Sequence, residues 1–141
     1  MQGIEWAQPG PVADPGVVVG LLSRAAEMSP ERADVRVRLG AILMGGYDFA
    51  AAALAFEAAL HIDPDLVEAR IGLARCWNRL GRHDDVLALV DAGPPAPSVH
   101  GLYQRGIAAR ALGRGDQAEQ EFRHALEQDP LHRETAFELG R

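Results

Sequence analysis

The sequence predicts an all-α chain built from a repeated antiparallel helix pair, and three observations carry that prediction. Prolines recur in one setting, as Met28-Ser29-Pro30, Ile62-Asp63-Pro64 and Gln128-Asp129-Pro130, each after a helical-looking run. Pro30 and Pro64 lie 34 residues apart, and Pro64 and Pro130 lie 66 apart, which is two periods less a two-residue deletion. A helix-ending proline at that interval marks a helix-turn-helix unit. Apolar residues fall at helical spacing, as in Ala69, Leu73, Cys76, Trp77 and Leu80, which share one helix face. Runs of β-branched or aromatic residues with period 2 are missing, and aromatics make up 6 % of a chain that is 48 % hydrophobic, so small residues supply the packing surface.

The elements follow in order. Residues 1–13 hold Pro9, Gly10 and Pro11 and read as an irregular arm. A first helix is expected over about 15–28, with Val19, Leu22, Ala25 and Ala26 inward. Paired helices follow at about 33–45 and 49–62, 66–80 and 84–92, and 98–112 and 116–128, with a last helix starting near 131. The turns inside the pairs fall at Gly46, Gly81, Gly113 and Gly115, where positive φ or a C-terminal cap is expected. Asp48 and Asp116 are expected as N-caps of the second helices. Gly40 and Gly106, with Ala52, Ala59, Ala118 and Ala125, let paired helices approach, and Phe56 and Phe122 fill the space between pairs. The resulting division is an arm (1–13) and one helical domain (14–141). The domain comprises a half-repeat (14–30), repeats at 33–66, 67–98 and 99–132, and an incomplete repeat (133–141).

The residues inside the period carry a resemblance. Leu39-Gly40, Leu43, Ala52, Phe56, Ala59 and Pro64 of the first unit, and Leu102, Gly106, Gly113, Ala118, Phe122, Ala125 and Pro130 of the third, match the tetratricopeptide repeat (TPR) pattern. The second unit matches through Leu73, Ala74, Trp77, Gly81 and Val86, and the match weakens after Val90. Over nearly its whole length the chain resembles the TPR family. The resemblance implies a right-handed superhelical array of antiparallel helix pairs, an α-solenoid of about three repeats plus a flanking helix at each end. It also implies a concave face lined by the first helix of each pair, used to bind another protein.

Two departures from the pattern stand out. The second helix of the middle unit runs into Gly93-Pro94-Pro95-Ala96-Pro97, so it is expected to stop about a turn short, with an extended, exposed connection after it. Arg105 stands where the pattern has leucine. Either it is partly buried and needs an acidic or carbonyl partner, for which Asp91 is a candidate, or the short preceding helix leaves it in solvent.

The stripe on each first helix opposite its buried side is the candidate binding surface. It carries Asp34, Val37, Arg38, Ala41, Met44 and Gly45, then Glu68, Ile71, Gly72, Arg75, Asn78 and Arg79, then His100, Tyr103, Gln104, Ile107, Arg110 and Ala111. Glu134, Phe137, Glu138 and Arg141 continue it. Arg38, Arg75, Arg79 and Arg110, with Asn78, Tyr103 and Ile107, form a groove suited to an extended peptide with acidic side chains or a free carboxylate. The family's two-carboxylate clamp for chaperone tails is absent, because its places hold Val37, Ala41, Gly72, His100 and Gln104.

The net charge is −6 and all 14 cations are arginine, so no basic footprint for nucleic acid is present. Neither a signal peptide nor an apolar run long enough for a membrane helix is visible, and a soluble, cytoplasmic protein without cofactor or metal is expected. The histidines fall in turns or at helix ends, Cys76 lies on the packed stripe, and Gly113-Arg114-Gly115-Asp116 is a helix-helix turn rather than a phosphate loop. No catalytic constellation emerges. Protein binding is the primary reading. Alternatives are the substrate-presenting arm of a larger transferase or hydroxylase, as Ala136, Leu139 and Gly140 open a unit that stops at Arg141, and self-association as a homo-oligomer through the C-terminal end, where Phe137 and Leu139 are expected to leave an apolar face open.

Overall fold

A computed structural model describes residues 14–95 and 97–140. The arm expected at 1–13 lies outside the described residues, as do Ala96 and Arg141. Among the described residues there are eight helices: α1 (Pro15–Met28), α2 (Ala33–Gly45), α3 (Phe49–Ile62), α4 (Val67–Arg79), α5 (His83–Asp91), α6 (Val99–Ala111), α7 (Gly115–Gln128) and α8 (Arg133–Glu138). Each packs on the next along the chain, and α4 also touches α2 and α6, so the first helices of successive pairs line up along one side. This is a TPR-type helical solenoid.

Local chemistry sets the ends. Asp14, Asp48 and Ser98 cap α1, α3 and α6 by accepting the backbone N–H of Gly16, Ala51 and Gly101 at 2.8, 3.2 and 3.2 Å. Asp63 and Asp129 shape the turns that end α3 and α7. Each precedes proline, and its carboxylate accepts from the backbone two residues on, at 3.1 Å in both turns.

The inter-repeat seam is a matter of size. Phe56 is 2 % exposed and lies between Gly40 of its own pair and Gly72 of the next. A Cβ on Gly40 would stand 2.8 Å from the ring, and one on Gly72 would stand 2.5 Å from it. Ala52, Ala53, Ala59, Ala69, Leu73 and Cys76 complete this cluster. Phe122 meets Gly106 in the same way in the third repeat.

The middle repeat differs. α5 has nine residues where α3 and α7 each have 14, so the expected shortening is present and amounts to more than one turn. Valine replaces the aromatic at position 90, and Val90 packs with Ala74, Val86 and Ala108. Arg70 holds the shortened end, donating to the Leu89 carbonyl at 3.0 Å and the Pro64 carbonyl at 2.7 Å. A cation there also meets the negative end of the α5 dipole.

Several local expectations need correction. Gly81 and Gly113 take positive φ (82° and 78°) and Gly46 is the C-cap of α2, as expected, with Tyr47 after it in the left-handed conformation at φ 63°; Gly115 is neither, because it opens α7. Asp116 is not a cap; Arg114 holds the N-cap position of α7, and Asp116 sits inside the first turn, where its charge suits the helix dipole. Leu80 ends the expected inward stripe but is 42 % exposed, because α4 stops at Arg79. Gly72 and Gln104 belonged to the expected open stripe, yet both are buried, Gly72 under Phe56.

Arg105 is partly buried, with 18 % of its side chain exposed, and its Nε and Nη1 donate to Glu121 and Asp91, both at 2.8 Å. Burial works against its charge, but the bonds to Glu121 and Asp91 outweigh it and raise the pKa. Asp91 is the partner expected from the sequence; Glu121, the more enclosed of the two, lies one helix later.

Candidate functional site

The solenoid turns the inner surfaces of α4, α6 and α8 toward one cavity of about 440 Å³. Of the expected groove residues it gathers Arg75, Asn78, Arg79, Tyr103 and Ile107, beside His100, Gln104 and His132. Arg38 is exposed on α2 and does not line this cavity. Arg110 pairs with Glu138 and lies 5.6 Å from the Phe122 ring centre, so its charge is answered within the protein.

Asn78 is held from both sides. Its Nδ2 donates to the Gln104 carbonyl at 2.9 Å and to Gln104 Oε1 at 3.0 Å, and its Oδ1 faces His83 Nδ1 at 2.9 Å. It therefore fastens α4 to α6 and to the start of α5. Arg79 stacks over Phe49, with 4.9 Å to the ring centre. Among the described residues, neither Arg75 nor Arg79 has a carboxylate within 4.0 Å, and both are exposed.

The far wall is polar and partly acidic. Glu134 and Glu138 of α8 line it, and the Tyr103 hydroxyl reaches Glu138 at 3.4 Å. Burial, and then the neighbouring Glu138 and Glu134 carboxylates, raise the Tyr103 pKa. His132 is 9 % exposed and stands edge-on to His100 at 5.2 Å; its Nδ1 caps α8 by accepting the Thr135 backbone N–H at 3.4 Å and lies 2.7 Å from Thr135 Oγ1. From sequence His132 reads only as a turn residue; its position two after a helix-ending proline is the available signal. The cavity continues past Arg75 and His100 into a more apolar stretch of about 330 Å³ that includes Val37, Ala41, Met44, Val67 and Ile71.

The arrangement offers guanidinium groups, fixed amides and apolar spots, which suit binding. Cys76 is fully buried, and burial pushes its thiol up to about 11, so it is a neutral packing group at ordinary pH. Among the described residues no group of three or more histidine, cysteine or acidic side chains is placed to hold a metal ion. No helix among them is long and apolar enough to cross a membrane.

Two models of the tetratricopeptide repeat match the sequence, over residues 43–110 and 103–141. The chain belongs to the tetratricopeptide repeat family. No curated protein matches the sequence. Among solved structures, the fold is similar to MamA (residues 41 to the end) from Desulfovibrio magneticus RS-1, with a TM-score of 0.72 and 17 % identity, covering 82 % of this chain and 67 % of that one. It is also similar to YrrB, described as a TPR protein with an unusual peptide-binding site, with a TM-score of 0.69 and 17 % identity over 84 % of this chain and 62 % of YrrB. A thermophilic TPR protein from Thermus thermophilus matches with a TM-score of 0.66 and 17 % identity over 87 % of this chain and 71 % of that one.

Proposed function

We propose that this TPR protein is an interaction scaffold that holds an extended peptide along α4 and α6, with a carboxylate of that peptide received by Arg75 and Arg79. The observation that carries this reading is a pair of exposed guanidiniums with no carboxylate in reach among the described residues, beside the fastened Asn78, in a cavity of about 440 Å³. A guanidinium fork meets a carboxylate with two parallel hydrogen bonds, which fixes direction as well as charge. Glu134, which has no arginine partner among the described residues, disfavours an acid at the α8 side and so orients the peptide. The likeness to YrrB, with its peptide-binding site, adds analogy only.

The test is selection from a random decapeptide pool by wild type and by Arg75→Glu/Arg79→Glu. Wild type should enrich peptides with Asp, Glu or a free C-terminus, and the double reversal should lose at least tenfold for them with unchanged helicity and melting. Equal enrichment by both proteins would remove the assignment.

A second reading, self-association, is favoured by one observation. Leu131 and Phe137 are 85 % and 78 % exposed and line an open hollow of about 790 Å³ around α8. A rise in mass with concentration in light scattering, abolished by Phe137→Ser, is what that reading expects; a constant monomer mass rules it out.

A further inference from the structure

The shortened α5 leaves a hollow of its own. Where α3 and α7 continue for five more residues, the chain turns into the Pro94–Pro97 connection, and Val90 stands in place of a phenylalanine ring. The result is a cavity of about 390 Å³ walled by Val67, Ile71, Ala74, Gly101, Pro94 and Pro97. That volume falls at the small end of ligand pockets, which run from about 300 to 1,000 Å³. The polar groups at its edge are already engaged. Arg70 is bonded to two carbonyls, the Ser98 hydroxyl accepts from Gly101, and the Gln128 amide donates to the Pro97 carbonyl at 3.3 Å. An occupant of this cavity therefore gains by apolar contact rather than by hydrogen bonding.

The cavity adjoins the groove, sharing Val67, Ile71 and Ser98 with its apolar stretch. Val67 and Ile71 border both it and the α4 stretch that contains Arg75 and His100, and Arg75 in turn borders the cationic cavity. Ile71 and Arg75 are one helical turn apart, about 6 Å along the axis. An extended peptide advances roughly 3.3 Å per residue.

We propose that this cavity is an anchor pocket for a large apolar side chain, aromatic by preference, on the same peptide whose carboxylate Arg75 receives. The recognised segment then carries an aromatic and an acidic residue roughly two to four positions apart. The shape argument is internal to the molecule, because the neighbouring repeats fill the equivalent region with their own Phe56 and Phe122 rings and a longer helix. The charge argument is the exposed Arg75. The proposal rests on the groove reading above.

The test uses fluorescein-labelled octapeptides with capped ends, carrying one Phe and one Glu separated by two, three or four positions, together with their Phe→Ala and Glu→Gln forms. The proteins are wild type, Gly101→Leu and Arg75→Glu. A Cβ on Gly101 meets Pro97 Cβ at 3.4 Å, Ser98 Oγ at 3.6 Å and Ile71 Cδ1 at 4.0 Å, which are ordinary contacts, so leucine can grow into the cavity while raising helix propensity. Wild type should lose at least tenfold on Phe→Ala, whereas Gly101→Leu should bind the parent and Phe→Ala peptides alike and keep its dependence on Glu. Val67→Glu, at a half-exposed position on the cavity mouth, gives a second variant with the same expected loss of the Phe effect. A Phe→Ala peptide that binds wild type as tightly as its parent overturns the anchor pocket and leaves the groove standing. A Phe effect that survives while Glu→Gln and Arg75→Glu change nothing overturns the groove reading instead. If no spaced peptide binds, both fall.

Discussion

The first and second repeats follow one plan with opposite choices of size. In the first, a ring fills the seam and glycines yield to it: Phe56 sits where a Cβ on Gly40 or Gly72 would come within 2.8 Å. In the second, the ring becomes Val90, the glycine of the same pair becomes Ala74, and the helix carrying the valine loses five residues. Conserving volume at a seam preserves stacking even when the residue types change. Here conservation is incomplete, and the shortfall is the cavity of about 390 Å³ beside the proline connection. The third repeat, with Phe122 against Gly106, returns to the first solution. The middle repeat is thus the place where the array gives up packing and gains a concave feature.

The contrast can be broken most strongly from the packed side. Phe56→Ala should cost roughly 3–5 kcal/mol, because a ring held between two helix backbones leaves a hole that neither helix can close. Val90→Ala should cost only roughly 1–2 kcal/mol, two methyl groups beside an existing void. Urea unfolding of both variants measures the difference, and equal costs would show that the two seams are equivalent.

A smaller effect is expected at the polar bracket that ties the shortened repeat to the third. Arg105→Met should destabilise by about 2 kcal/mol, because it strands Glu121, whose side chain is only 15 % exposed. Arg105→Met with Glu121→Met should recover most of that loss in the same assay. Asp91 is 65 % exposed and contributes little to either number.

Arg70→Met should cost about 1–2 kcal/mol, since two carbonyls at the end of α5 and before α4 lose a charged donor while remaining near water. Hydrogen exchange should show the loss concentrated in α5 rather than α3. The smallest change concerns the turn of the first repeat. Tyr47 takes φ 63° where the other repeats place Gly81 and Gly113, so Tyr47→Gly should stabilise by about 0.5 kcal/mol in thermal melts. The gain is limited by the freer unfolded chain and by the lost edge contact with Phe49 at 6.1 Å between ring centres.

Much of this architecture was legible in the residues. The Pro period, the helical spacing of small and apolar side chains and the proline run after Gly93 placed every helix to within about two residues, because caps and breakers act over a few neighbouring residues. The candidate site was only partly legible. Arg75, Asn78, Arg79, Tyr103 and Ile107 do line one cavity, as helical direction alone suggests. Arg110 could not be separated from them, because Glu138, the carboxylate that answers it, lies 28 residues later and is brought near only by α8 folding back.

What the sequence determined by itself is therefore local: where helices begin and end, which turns break them, and that the middle repeat is short. What only the tertiary structure decided is pairwise and long-range. It buries Gly72 beneath Phe56, supplies Glu121 to Arg105, places positive φ at Tyr47, and leaves Arg75 and Arg79 without an internal carboxylate among the described residues. The physical reason is range. Propensity and capping depend on residues within a turn or two, whereas burial, charge pairing and cavities depend on which distant side chains the superhelix brings within a few ångströms.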